Sequence, residues 1–249
     1  MEKLENIETQ EESIITFLAL FNQIDKHFDK VLALEGFIPY NEKIKQLIKG
    51  EYSISRFVKL HQYQLKYFGE VRNQITHGIK LDGHSYVIPT PHAIEQLERY
   101  ANAIKQPPQC GKIFKKEVFT IQADATLKTL VESLDKQRYS TIPVYQNNVF
   151  LGVIMIEELF MWIVKNFEKK AEWENILIQD VPLFKDSEHV IFVREDKSIY
   201  EIDRLFTSLK KGHKHLGMVI ITKHGLKNGK PLGIITSSDT AIIDSFVMH

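Results

Sequence analysis

Apolar residues recur at helical spacing through the first hundred positions. Ile14, Phe17, Leu18, Phe21, Ile24, Phe28, Val31 and Leu32 return every three or four residues, and Gly36 with Pro39 ends the run. A shorter helix is predicted over Glu42 to Ile48, closed by Gly50. A third begins near Ser53, whose hydroxyl suits an N-cap, and carries Ile54, Phe57, Val58, Leu65 and Phe68 as far as His77. After the segment "HSYVIP", Thr90 and Pro91 are a cap and a first-turn proline for a fourth helix ending near Ile104. Four helices with short links predict a small bundle over residues 1–106.

The pattern changes at "QPPQCG" (Gln106 to Gly111), where prolines and a glycine forbid a continuing helix; residues 107–112 read as a linker. Beyond it, short β-type runs alternate with helical ones, and the layout repeats. "FTIQADATLKTLVESL" and "IFVREDKSIYEIDRLF" align with Asp124 on Asp196, Leu127 on Ile199 and Leu130 on Ile202, each 72 residues apart. "TIPVYQNNVFLGVIMIEEL" then aligns with "LGMVIITKHGLKNGKPLGIITSSDT", Gly152 falling on Gly233 across a longer second turn. The expected fold is α + α/β: a four-helix-type bundle, then two β-α-β-β-α repeats at about 113–170 and 180–249. Units this small do not bury their own sheets, so the repeats should pack face to face as a pair.

Composition narrows the class. The 249 residues carry no net charge, so the chain as a whole is not drawn strongly to nucleic acid or acidic membranes. The distribution is uneven, however: Lys43 to Lys80 holds eight basic residues against two acidic ones, either a solvated helical face or a phosphate-tracking surface. A single cysteine, Cys110, excludes an intrachain disulfide and suits a reducing compartment. No apolar run reaches the roughly 18 to 20 residues of a membrane span, and the polar, acidic start is no secretory signal. A cytoplasmic protein is expected. His213 and His215 flank Lys214 without a carboxylate or cysteine at ligand spacing, so no metal site is expected. Trp162 and Trp173 read as core or interface packing.

The second half resembles a tandem pair of CBS domains, a module that senses adenine nucleotides. The resemblance rests on the "TIPVYQNNVFLGVI" hairpin, the "LGMVIIT" strand and above all "GIITSSD" (Gly233 to Asp239). It implies a regulatory AMP, ADP or ATP ligand, with Thr236 and Ser237 meeting a phosphate and Asp239 the ribose hydroxyls, behind Gly233. Hydroxyls and backbone N–H groups at a helix start do form an anion site, although the same residues would cap the last helix in any case. The first repeat departs from the motif, with Met155 and Glu158 where the second has Thr236 and Asp239. Methionine donates nothing to phosphate, so one nucleotide site is expected.

The first half resembles HEPN helical domains through "VRNQITHG" (Val71 to Gly78), which carries Arg72, Asn73 and His77 at a helix end. The resemblance implies a metal-independent ribonuclease whose site forms across a two-fold homodimer, with RNA as substrate. Residue chemistry is compatible: histidine serves either proton role near neutrality, and arginine stays charged beside phosphate. Asn73 and His77, four apart, share a helical face; Arg72 and His77 stand about 140° apart around the helix, so a working site needs two helices. Arg72 in an ion pair and His77 on terminal carbonyls is the plainer alternative. The leading expectation is a ribonuclease gated by nucleotide. Its rival is a non-catalytic nucleotide sensor whose helical domain serves dimerisation or partner docking.

Overall fold

The computed structural model describes residues 2–81, 83–136, 139–166, 174–181, 190–211 and 217–248. Trp173, His213 and His215 lie outside the described residues. The chain divides into two units: Met1–Pro108 with Ile199–Glu201 and Ile243–His249, and Gln109–Ser198 with Ile202–Ile242.

Most of the first unit is helical: α1 (Glu2–Leu32), α2 (Tyr40–Lys49), α3 (Ser55–Leu60), α4 (Gln62–His77) and α5 (Pro91–Lys105). Two-residue strands β1 (Lys80–Leu81) and β2 (His84–Ser85) pair antiparallel after α4. The periodicity of α1 is realised in a buried stripe of Phe17, Phe21, Ile24 and Phe28, with Ile44, Leu47, Leu65, Leu97 and Ile104 filling the rest of the core. Thr90 caps α5, its hydroxyl accepting from the Ala93 N–H at 3.2 Å.

The expected third helix is two helices. They break at His61, whose backbone (φ −102°, ψ 15°) leaves the helical range. Its ring is buried, with Nδ1 3.0 Å from the Tyr100 hydroxyl and Nε2 3.2 Å from the Val247 carbonyl. A carbonyl only accepts, so Nε2 carries the proton and Nδ1 accepts from Tyr100. A buried imidazole needs both partners, and periodicity of apolar residues does not register that need. Nor is Ser53 the cap: Ile54 holds that position, and the Ser55 hydroxyl donates to the Gly50 carbonyl at 2.9 Å while accepting from the Tyr52 N–H.

The second unit opens with the short helix α6 (Cys110–Ile113). The Cys110 and Gly111 N–H groups donate to the Lys197 and Glu195 carbonyls at 2.8 and 2.9 Å. The first repeat is β3 (Ile121–Gln122), α7 (Leu127–Lys136), β4 (Thr141–Gln146), β5 (Val149–Met155) and α8 (Ile156–Lys165). The second is β6 (Val190–Arg194), α9 (Ile199–Lys211), β7 (Met218–Thr222), β8 (Pro231–Thr236), a 3-10 turn (Ser237–Asp239) and α10 (Thr240–Met248). Each sheet has the repeat's first two strands parallel and its last two antiparallel. The duplication holds in detail. Val144 faces Gly152 where Ile221 faces Gly233, and the register slips directly after Val144 and after Ile221.

Every residue of β7 is buried, so both faces of this central strand are covered. On one face Met218 and Ile220 join Val190 and, from the first repeat, Val153, with Phe150, Phe192 and Ile234 packed against them. Phe150 and Phe192 meet edge to face at 4.9 Å between ring centroids. The first repeat's other cluster, around Leu127, Leu130, Ile142 and Ile154, takes Trp162 at its margin. Edge-to-face pairs contribute about 0.5–1.5 kcal/mol beyond their buried area, so a Phe150→Ala/Phe192→Ala double-mutant cycle in urea should give a coupling energy of about 1 kcal/mol. Strict additivity would contradict this contact as the join between the repeats.

Candidate functional site

Strand β8 leaves its sheet at Thr236, which has extended backbone (φ −123°, ψ 178°), and turns at once through Ser237–Asp239 into α10. Thr236 and Asp239 form a capping box. The Thr236 N–H donates to Asp239 Oδ2 at 2.8 Å, and the Thr236 hydroxyl reaches the same oxygen at 3.1 Å and the Ser238 hydroxyl at 2.7 Å. Thr240 donates to the Ser237 carbonyl at 2.8 Å. Among the described residues Asp239 Oδ1 accepts nothing.

The turn borders a cavity of about 620 Å³ within the second unit. Thr236, Ser237 and Thr240 form one side, and Tyr139, Ser140, Thr141, Met155 and Glu157 of the first repeat form another. Strand register explains the convergence: Thr141 faces Met155, and Met218 faces Thr236, so matching ends of the two hairpins meet here. The described lining holds six hydroxyls, one carboxylate and no lysine or arginine. Such a wall donates to and accepts from polar ligands but offers no formal positive charge to an anion.

Of the residues anticipated for a nucleotide, Thr236 and Ser237 line this cavity and Asp239 stands behind them in the cap. Gly233 lies elsewhere. It is buried in β8, and a Cβ there would sit 2.3 Å from the Phe114 carbonyl oxygen, so its missing side chain is a requirement of close backbone approach. Met155 does line the cavity, paired in the sheet with Thr141, whereas Glu158 is exposed and Glu157 takes the wall position. Sequence reasoning missed Tyr139, Ser140 and Thr141. The run of hydroxyl residues before a β-type segment was its only available signal, and nothing local says which turn it would face.

The second constellation ends α4. Arg72 is half-buried, its guanidinium 6.0 Å from the Phe21 ring centroid and donating to the Asn73 side-chain oxygen at 3.0 Å. Both border a small hollow of about 250 Å³ with Asp25, Tyr40 and Gly69. His77 is exposed in the last turn, and among the described residues its ring has no hydrogen-bond partner. The structure therefore joins Arg72 to Asn73 and leaves His77 apart, on an exposed stripe with Tyr63, Tyr67, Glu70 and Gln74. Asn73 shares a helical face with His77 by spacing, but its side-chain oxygen is taken by Arg72 instead. The helix stops at Gly78, whose N–H donates to the Gln74 carbonyl at 2.9 Å. Among the described residues no cluster of metal-ligating side chains occurs, and no helix is long and apolar enough to cross a membrane.

Residues 110–165 match the family model of the CBS domain, so the chain contains a CBS domain at its first repeat. Similar solved structures include a CBS domain protein from Streptococcus pneumoniae TIGR4, 15% identical with a TM-score of 0.41, over 55% of this chain and 88% of that one. Another is CBSX2 in complex with AMP, at 14% identity and a TM-score of 0.41, over 57% of this chain and 98% of that one. A third is the CBS domain of a bacterial CNNM/CorC family Mg2+ transporter in complex with ATP, at 20% identity and a TM-score of 0.42, over 64% and 99%. No curated protein matches this chain.

The roles of Gly233 and Thr236 separate experimentally. Overpacking a tight backbone contact costs about 1–3 kcal/mol, so Gly233→Ala should lower the urea midpoint of unfolding by that equivalent. Thr236→Val keeps the shape and the backbone half of the capping box, and should cost no more than about 1 kcal/mol. Equal stability of Gly233→Ala and the parent would contradict the packing role.

Proposed function

We propose that this protein is a nucleotide-sensing regulator whose ligand, an adenine nucleotide, binds the cavity between the ends of the two hairpins. Ser237 donates to a phosphate, the Thr236 hydroxyl joins it by turning its single O–H away from Asp239, and the free oxygen of Asp239 accepts from the ribose hydroxyls. The observation that carries this reading is the wall of hydroxyls converging on Thr236 and Ser237 beside the CBS domain of residues 110–165. The motif "GIITSSD" supports it. Met155 supplies no donor at the matching position, so one nucleotide binds per chain. With Glu157 in the wall and no described cation, the cavity favours a single phosphate, and hence AMP over ATP.

Calorimetry on the full chain tests this reading. AMP should bind once per chain and more tightly than ATP. Hydrogen bonds to charged groups are worth about 1.5–3 kcal/mol, so Thr236→Val and Asp239→Asn should each weaken AMP by about 10- to 100-fold. Asp239→Asn keeps an acceptor for the Thr236 N–H, so its thermal midpoint should stay near the parent value. Full AMP affinity in both variants would move the ligand elsewhere.

A second reading adds catalysis: a homodimer in which Arg72, Asn73 and His77 of two copies cut RNA without metal, gated by the nucleotide. It is favoured by Tyr63 and Tyr67, exposed one turn apart on the helix face that ends at His77, with Lys59 and Lys80 exposed at either end of the segment. Exposed aromatics among cations make stacking platforms for single-stranded nucleic acid. Labelled RNA incubated in EDTA separates the readings. If this site cuts, His77→Ala should lower the rate by about 10²- to 10⁴-fold. No cleavage by the parent, with or without AMP, leaves the sensor without a nuclease.

A further inference from the structure

The hairpins that open onto Thr236 at one end close, at the other, around a second and larger cavity of about 830 Å³, also within the second unit. It borders the turn between β4 and β5 and the turn between β7 and β8. Its character is opposite to that of the first. Lys115, Lys116 and Lys230 line it, against the single carboxylate of Glu117. Among the described residues none of the three ammonium groups has an acceptor.

The stronger observation is Tyr145, which lines this cavity and is 5% exposed. Its hydroxyl is buried without a hydrogen-bond partner. Burial pushes its pKa up to about 12, so it remains a neutral donor through the physiological range. The ring is held by an edge contact to Phe150 at 5.6 Å, and the residue stands where the strand register slips. Buried hydroxyls in folded proteins are nearly always bonded, and an orphan on a residue in a cavity wall points to a missing acceptor. Asn148 adds an amide from a two-residue turn fixed by the left-handed backbones of Asn147 and Asn148 (φ 49° and 66°). Asn228 adds another from the opposing turn.

We propose that this cavity is a second ligand site, for a small molecule carrying a pyrophosphate group, in which Tyr145 donates the central hydrogen bond and the three lysines neutralise the charge. Two or more phosphate charges balance an excess of two lysines over the single carboxylate. The site lies at the far end of the strands from Thr236, and its assignment does not depend on the nucleotide reading.

Inorganic pyrophosphate is the probe, titrated calorimetrically into the full chain at low salt. One molecule should bind per chain. Lys115→Gln/Lys116→Gln/Lys230→Gln should weaken it by about 30-fold or more, and Tyr145→Phe by about fivefold, the equivalent of one hydrogen bond. Thr236→Val should leave pyrophosphate affinity unchanged. Tyr145→Phe also removes an unsatisfied buried hydroxyl, so its thermal midpoint should equal or exceed the parent's even as binding falls, which a loss of folding would not produce. Three results would overturn the assignment: no binding by the parent at millimolar pyrophosphate, full affinity in Tyr145→Phe, or loss of binding in Thr236→Val.

Discussion

Burial of β7 on both faces is the constraint from which the second unit follows. A three-stranded sheet has two apolar faces and too little chain to cover both, so one repeat alone would leave Met218 and Ile220 against water. The duplicated sequence supplies the cover: Val153 and Phe150 of the first repeat meet Val190, Phe192 and the centre of β7. Once the sheets are joined there, the ends of their hairpins are brought into opposition. The two cavities are what lies at those ends, one rich in hydroxyls and one rich in lysine.

At the hydroxyl-rich end, the same residues terminate a strand, start a helix and face the cavity. Thr236 and Asp239 satisfy one another, so the turn is rigid before any ligand arrives. Preorganisation of this kind lowers the entropic cost of binding. It also has a chemical cost, because Asp239 Oδ2 is already occupied and only Oδ1 remains to accept from a further donor. At the lysine-rich end the balance is reversed: Tyr145 is left unsatisfied, and the fold carries that expense without a structural return.

Much of this was legible in the chain. The 72-residue offset reappears as the first turns of α7 and α9 at Leu127 and Ile199, because helix starts are fixed by local patterning. The Thr90 cap and the stripe along α1 are equally local. What the sequence withheld depends on partners distant in the chain. The break at His61 answers to Tyr100 and Val247, the glycine at 233 to the Phe114 carbonyl, and the cavity wall of Tyr139 to Thr141 to a strand register that no single segment encodes. The pairing of Arg72 with Asn73 is local, but helical spacing favoured the competing Asn73–His77 pair; the nearer guanidinium, a charged donor, takes the amide oxygen.

The hydroxyl-lined cavity at Thr236 is proposed as the seat of a nucleotide. A crystal structure of the full chain grown with AMP tests it most directly. One AMP per chain is expected, its phosphate against the Thr236 and Ser237 hydroxyls and its ribose on the free oxygen of Asp239. An AMP seated elsewhere, or an unliganded Thr236 cavity at saturating nucleotide, would contradict it.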